Sequence, residues 1–245
     1  LYGHPVIETA NPPSWLRDAS ALEGSRGSHP GAGVWLPQVA QIRPPRLLAA
    51  LRAACDQLGC ERWQKQVRSI DLQASRPVVC LADGQQLSTT HLVIAAGAWT
   101  GGLIPAAETR PVAGQMLALA AGDHAPASIV IESGRYLIPR KDGVVIVGST
   151  LAIDRWSTEP DDADTRALRA FASQVHPTLA AAPQISRWSG IRPAPASLCD
   201  TPTIGPLAGR EDVVLATGHY RLGLSLAPAT AARVVQHVTG VRASA

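Results

Sequence analysis

The sequence predicts a mixed α/β fold, α+β overall, in which a parallel sheet and an antiparallel sheet form separate parts. Two short runs of consecutive apolar residues, 92–96 and 213–216, are typical of strands that a parallel sheet buries on both faces. Between them, residues 110–150 largely alternate between apolar and polar side chains, as in an antiparallel sheet with one exposed face. Stretches in which apolar residues recur at helical spacing predict the helices.

The helices are predicted from spacing and from the residues that begin and end them. Residues 45–58 carry one apolar stripe, Pro45 favours a helix start, and Gly59 stands where a left-handed cap belongs. Residues 161–176 form a second amphipathic helix, which Pro177 ends. We expect a short helix within residues 13–22, and a last helix over residues 229–238 that Pro228 opens.

The remaining strands follow from β-rich runs between turn residues. A hairpin over residues 134–150 turns about Lys141, Asp142 and Gly143, and residues 195–206 are expected to be a proline-rich loop. The other predicted strands cover residues 60–67, 78–82, 86–88, 110–120, 128–132 and 185–192.

Composition narrows the class of protein. The 245 residues carry 22 basic and 19 acidic side chains, a net charge of +3, and the basic residues are scattered, so charge does not imply nucleic-acid binding. No apolar run approaches a membrane span of roughly 18 residues, so we expect a soluble, cytoplasmic protein. Cys55, Cys60, Cys80 and Cys199 form no C-x-x-C pair; we expect small buried residues in a reducing compartment, and no metal site is predicted.

Two glycine-containing turns are candidate binding elements. The run 213–216 leads into Gly218, Arg221 and Gly223 and then into a helix, an order that lets backbone N–H groups and a helix dipole approach an anion. Gly97 follows the other buried run, at the strand end where doubly wound sheets bind ligands. From these stretches alone, an ordinary strand-to-helix turn with a surface arginine is the favoured interpretation of the first, whereas for Gly97 a glycine that only relieves crowding is as open as a ligand site.

Arg192 and Tyr136 are candidate polar groups on the strands. Arg192 lies in an apolar run stopped by Pro193, and a buried guanidinium needs a partner, either a carboxylate of the fold or one on a ligand. Tyr136 and Ile138 share one face of their strand, so the Tyr136 hydroxyl becomes a donor if that face lines a cleft.

Six motifs in order resemble one known family. They are LVIAAGAW at 92–99, PVAGQM at 111–116, YLIPR at 136–140 followed by residues 148–150, WSGIRP at 188–193, IGP at 204–206 and GHYRLGLSLAP at 218–228. Together, over residues 34–240, they resemble the D-amino-acid oxidase and glycine oxidase family of flavoproteins, most closely the glycine oxidases of thiamine biosynthesis.

The resemblance implies a partial doubly wound FAD-binding domain joined to an antiparallel substrate domain. Residues 39–104 and 191–245 would belong to the FAD domain, residues 105–190 to the substrate domain, and residues 1–38 to the substrate domain and its connection. The family's G-x-G-x-x-G fingerprint is absent from these 245 residues, and we expect it before Leu1 in a longer chain.

The implied activity is FAD-dependent oxidation of a small amine such as glycine, sarcosine or a D-amino acid to the imine. Hydride would pass to the flavin, and oxygen would accept the electrons. Arg192 would bind the substrate carboxylate as a two-pronged ion pair, Tyr136 would donate to the same carboxylate, and Arg221 would lie near the flavin edge. With the amine neutral, no side-chain base is required.

The resemblance also implies a set of cofactor contacts. Backbone N–H groups at a helix start would stabilise the reduced flavin, and Gly97 would approach it closely. His219 is a weaker candidate, with packing beside the loop the favoured interpretation. The implied FAD-binding residues are Val67, Ala96, Gly97, Trp99, Gly218, Arg221, Leu222, Gly223, Leu224 and Ser225.

Two alternatives stay open. The same fold acts on an aminomethyl-modified tRNA base in a related group, although no basic cluster supports this here. In the second alternative, the chain is a non-catalytic fragment of such a flavoprotein. The expected partners are the amine substrate and oxygen, and a homo-oligomer is left open.

Overall fold

The computed structural model describes residues 17–18, 34–35, 39–198 and 201–241. In chain order its elements are β1 (Arg17–Asp18), β2 (Val34–Trp35), α1 (Pro44–Gln57), β3 (Val67–Asp71), β4 (Val78–Leu81), β5 (Gln86–Ser88), β6 (Leu92–Ile94), α2 (Thr100–Leu103), β7 (Thr109–Ala120), β8 (Val130–Glu132), β9 (Arg135–Pro139), β10 (Val144–Gly148), β11 (Ala152–Ile153), α3 (Asp162–Val175), β12 (Gln184–Pro195), β13 (Thr203–Leu207), β14 (Arg210–Thr217) and α4 (Gly223–Thr239).

The chain divides into two compact units. Unit 1 comprises residues 1–61, 115–150 and 159–189, and unit 2 comprises residues 62–114, 151–158 and 190–245. The chain therefore passes between the units within β7 and again within β12. The functional division into FAD and substrate domains stays a prediction.

Unit 1 is built on an antiparallel sheet. The end of β7 pairs with β10, β10 with β9, and β9 with β8, in the registers Val147↔Leu117 and Ile146↔Ile138. Asp161 is the N-cap residue of α3: its side chain accepts from the Asp164 N–H and so satisfies one of the free donors of the first turn. The helix turns its apolar face to a core whose fully buried members include Leu117, Leu137, Val145 and Leu168.

Unit 2 holds the parallel pair that the apolar runs predict. Strand β14 runs parallel to β6, with Val213 opposite Leu92 and Leu215 opposite Ile94, and β13 adds to β14 in the antiparallel sense. Strands β3, β4 and β5 form a separate antiparallel sheet. The parallel sheet buries Ile94, Val213 and Leu215, which is why these runs lack polar residues.

Four local expectations are wrong. Residues 60–66 are not a strand, and β3 begins only at Val67. Arg17 and Asp18 form a strand rather than part of a helix; the rest of residues 13–22 lies outside the described residues. Residues 203–206 belong to β13, not to a loop, because Thr203 to Pro206 pair with β14.

The fourth correction concerns α4, which begins at Gly223, so Pro228 lies inside the helix instead of opening it. Proline has no N–H, so this helix lacks the bond to the Leu224 carbonyl. The early start matters because it places the first turn of α4 directly after the glycine loop.

The expectation of buried cysteines is also wrong. Cys55 and Cys60 are exposed and Cys80 is partly buried, while Cys199 lies outside the described residues. The α1 stripe predicts the helix correctly, but none of its residues is buried in this structure. Within the described ranges, every helix is too short or too polar to span a bilayer.

Candidate functional site

The carboxyl ends of β6 and β14 lie side by side in unit 2. Because the strands are parallel, Gly97 after β6 and Gly218 after β14 emerge at the same edge of the sheet. Thr217 and Thr100 fix this edge: their hydroxyls donate to the Gly97 carbonyl over 3.1 and 2.8 Å, and the two hydroxyls lie 3.0 Å apart. Both threonines are buried, so the edge is held by satisfied polar groups.

The loop after β14 directs the start of α4. Gly218 has φ 76° and Tyr220 has φ 47°, so the chain turns twice through left-handed backbone within three residues. Helix α4 then begins at Gly223 without any side-chain cap. The first-turn N–H groups of an uncapped helix, with the positive end of its dipole, form a donor set for an anion.

Arg192 lies against the backbone of β7. A Cβ added to Gly114 would fall 1.9 Å from Arg192 Nη1, so only glycine leaves room for the guanidinium here. The Nη1 atom is buried. The guanidinium therefore occupies space that a side chain at position 114 would fill, and its planar fork can bind a carboxylate through two hydrogen bonds.

A backbone hydrogen bond connects the Arg192 strand to the glycine loop. The Tyr220 N–H donates to the Pro193 carbonyl over 2.8 Å. Arg221 is exposed and lies over the Tyr220 ring, with Cζ 5.5 Å from the ring centroid. Unit 2 thus brings Arg192, the loop, the α4 start and Gly97 into one region.

Tyr136 belongs to unit 1. Its hydroxyl lies 2.9 Å from Met116 Sδ, and a Cβ added to Gly148 would fall 2.7 Å from its ring. Gly148 stands opposite Tyr136 in the β9–β10 register, so a small residue there makes room for the ring. Its role as a substrate donor stays a prediction.

The remaining predicted contacts have different surroundings. Ala96 packs against the core of the parallel sheet, and Leu222 precedes the first turn of α4, where Leu224 and Ser225 are exposed. Trp99 is 57% exposed and packs on Trp156 with ring centroids 5.6 Å apart.

Val67, unlike the other predicted FAD contacts, does not lie near the end of a strand of the parallel sheet. It lies at the start of β3, in the separate antiparallel sheet of unit 2. No observation ties it to the edge formed by Gly97 and Gly218.

His219 is packed, as its favoured interpretation expects. Its Nε2 lies 2.9 Å from the Thr230 hydroxyl on α4, and burial lowers the pKa of the imidazole. The ring joins the loop to the helix in its neutral form.

Sequence reasoning missed three residues of this region. Thr100 and Thr217 carry no motif signal, since their roles depend on strands that are distant in sequence. Gly114 was visible as a glycine inside a strand, a position that often marks the close approach of another group.

The edge of the parallel sheet has the geometry of an anion-binding site. A parallel strand pair, a glycine loop and an uncapped helix start form an anion-binding edge, with an arginine that can grip a carboxylate beside it. An edge of this kind can bind an anionic group, and the adjacent guanidinium can bind a carboxylate.

A family model described as DAO, FAD dependent oxidoreductase, matches residues 7–237, so the chain belongs to that family. It is 34% identical over 232 residues to a glycine oxidase of Pseudomonas aeruginosa, covering 89% of this chain and 63% of the relative. It is 36% identical over 214 residues to a glycine oxidase of Pseudomonas putida, covering 84% and 58%.

A solved structure shares the fold. The glycine oxidase of Geobacillus kaustophilus superposes with a TM-score of 0.83 at 24% identity, over 94% of this chain and 64% of that one. The chain thus spans about three fifths of the length of the relatives that it matches. The predicted α+β flavoprotein fold is confirmed.

Proposed function

We propose that the chain is the flavin-contacting and substrate-contacting part of a glycine oxidase-like enzyme, which oxidises a small amino acid to its imine and passes the electrons to oxygen. The observation that carries the proposal is the assembly in unit 2. There the uncapped α4 start follows a glycine loop bonded to the Arg192 strand, and Thr217 holds that loop to Gly97.

The α4 start suits the cofactor of this family. Bound FAD would supply the hydride acceptor. The N–H groups of Gly223, Leu224 and Ser225, at the positive end of the helix dipole, would stabilise negative charge on its ring system. A Cβ at Gly97 would meet nothing within 4 Å, so the strand end is open to a flat group.

Arg192 suits the carboxylate of the substrate. Glycine has no side chain to grip, so its orientation depends on the carboxylate and the amine. A guanidinium positioned by Gly114 forms two parallel hydrogen bonds to a carboxylate, and charge-assisted bonds of this kind contribute about 1.5–3 kcal/mol each. We assign Arg192 to the carboxylate and Arg221 to the flavin edge and the far side of the substrate. The role of Tyr136 as a donor to the carboxylate stays a prediction from the family resemblance.

The test begins with cofactor binding by the 245-residue chain. After incubation with FAD and removal of the excess, we expect flavin absorbance to stay with the protein and to bleach when glycine, sarcosine or D-alanine is added without oxygen. Peroxide release in air would identify the acceptor. Bound flavin that none of the three amines bleaches would contradict the proposal. A chain that is folded by circular dichroism yet retains no flavin would favour the fragment interpretation for these 245 residues.

Arg192→Lys separates the role of the arginine from general damage. A lysine keeps the charge but loses the two-pronged geometry, so KM for glycine should rise at least about tenfold. Arg52→Lys, on the exposed surface of α1, is the matched control and should leave KM unchanged. Salt-dependent binding of tRNA, without oxidation of these amines, would favour the aminomethyl-modified tRNA base as the substrate.

A further inference from the structure

Helix α1 ends in a Schellman cap built around two cysteines. The Cys60 N–H donates to the Cys55 carbonyl over 2.9 Å, and the Gly59 N–H donates to the Asp56 carbonyl over 3.1 Å. Gly59 has φ 72°, the left-handed conformation that this cap requires. In such a cap the side chains of the first and last residues of the longer bond frequently pack together, and here both residues are cysteine.

The hydrogen bond limits how far apart these cysteines can be. With standard backbone dimensions, a 2.9 Å bond from the Cys60 nitrogen to the Cys55 oxygen holds the two Cα atoms within about 6.8 Å. Disulfides join Cα atoms that are roughly 4.4–6.8 Å apart. The hydrogen bond therefore keeps the two Cα atoms within the range that a disulfide can join.

Both thiols are also accessible. Cys55 and Cys60 are exposed, whereas Cys80 is partly buried within its sheet. An oxidant can thus reach either member of the pair, and the cap keeps the backbone of the second cysteine close to the first. Accessibility with a neighbouring thiol is what distinguishes a reversible oxidation site from an isolated cysteine.

We propose that Cys55 and Cys60 form a reversible oxidation site that hydrogen peroxide converts to an intramolecular disulfide. One thiol attacks peroxide and becomes a sulfenic acid with release of water, and the second thiol then displaces a second water as the S–S bond forms. In total, two thiols and one peroxide give one disulfide and two waters. Any source of peroxide suffices, so the site does not depend on the proposed function, although oxidase turnover would supply peroxide nearby.

Peptide mapping tests the site directly. Trypsin cuts after Arg52 and Arg62, so both cysteines lie in the single peptide 53–62. After treatment of the full chain with about one equivalent of peroxide, we expect this peptide to be lighter by two hydrogens and closed to alkylation. Two of the four thiols should be lost and then restored by dithiothreitol.

Four variants test the proposal, and three outcomes would contradict it. Cys80→Ser is the matched control and should form the disulfide as the parent does, while Cys55→Ser and Cys60→Ser should instead accumulate oxygen adducts on the remaining thiol. Gly59→Val, strained at φ 72°, should slow closure at least about tenfold. Loss of Cys80 before the pair, equal closure in Gly59→Val, or disulfides only between chains would overturn the proposal.

Discussion

At the scale of single residues, the site depends on which side chains are missing as much as on those present. Gly114 has no Cβ where the Arg192 guanidinium lies, and Gly148 has none where the Tyr136 ring lies. Each glycine faces a residue with a predicted role in substrate binding. Substitution of these glycines therefore tests the positions of Arg192 and Tyr136 without removing either side chain.

Gly114→Ala should displace Arg192 while the protein stays folded. The added methyl would meet the far end of a flexible side chain, so the guanidinium moves and the free energy of unfolding changes by no more than about 1 kcal/mol. The side-chain Nε–H resonance of Arg192, assigned with Arg192→Lys, should shift. Gly190→Ala, which meets nothing within 4 Å, is the control and should leave it in place.

His176 should make stability depend on pH. It is 9% exposed and burial lowers the pKa of its imidazole below the unfolded value of 6.5. The unfolded chain then binds the proton more readily, so the free energy of unfolding should fall as pH decreases below 6.5 and level off above it.

Urea unfolding at pH 5.5 and 7.5 measures the effect of His176. His176→Gln, which cannot take up a proton, should reduce the difference between the two pH values, whereas exposed His237→Gln should preserve it. An undiminished difference in His176→Gln would assign the pH dependence to other groups.

At the scale of elements, the buried Gln115 joins β7 to the start of α3. Its Nε2 donates to the Asp161 carbonyl over 3.0 Å and to the Thr165 hydroxyl over 2.7 Å, and its Oε1 accepts from the Asp161 N–H over 2.6 Å. The side chain is only 2% exposed, so water cannot replace these bonds. These bonds fix the start of α3 to β7. Gly114, which makes room for Arg192, is the residue before Gln115 in that strand.

Gln115→Leu should be among the costly substitutions in unit 1. Leucine fits the volume but removes the Gln115 partner of the partly buried Asp161 N–H, while the Asp161 carbonyl keeps its bonds from Thr165, so we expect a cost of about 2 kcal/mol in the free energy of unfolding. Chemical denaturation measures it. Gln86→Leu on the exposed face of β5 is the matched change and should cost less than about 0.5 kcal/mol.

At the scale of the whole molecule, each unit has a core of its own. One cluster contains Leu117, Leu137 and Leu168 and lies within unit 1; the other contains Ile94, Val213 and Leu215 and lies within unit 2. Neither cluster takes residues from the other unit. A destabilising substitution in one core should therefore increase local unfolding first within its own unit.

Leu168→Ala should loosen unit 1 selectively. The fully buried leucine leaves a cavity on truncation, with an expected cost of about 2–5 kcal/mol. Hydrogen exchange followed by mass spectrometry should show faster exchange in peptides of residues 115–150 and 159–189, with peptides of residues 201–241 near the parent rates. Val213→Ala should reverse the pattern. Uniform acceleration in both would show that the chain opens as one cooperative unit.

Local pattern determined much of this fold. Apolar spacing located α1 and α3, alternation located β7, β9 and β10, and the apolar runs located the parallel pair, because these elements depend on which face is buried. The order of motifs then identified the family. Local pattern does not fix an element whose existence depends on pairing with a distant strand. One such element is β13, which is a strand because it pairs with β14.

What the tertiary structure alone decided is how residues far apart in sequence meet. Thr100 and Thr217 hold the same carbonyl, Gly114 makes room for Arg192, and Gln115 fixes the start of α3, although no local pattern links the members of any of these groups. The same is true of Cys55 and Cys60: composition suggested two buried thiols, and only the cap geometry showed an exposed pair. Sequence periodicity reports which face an element buries, whereas only the folded chain determines which partner it meets.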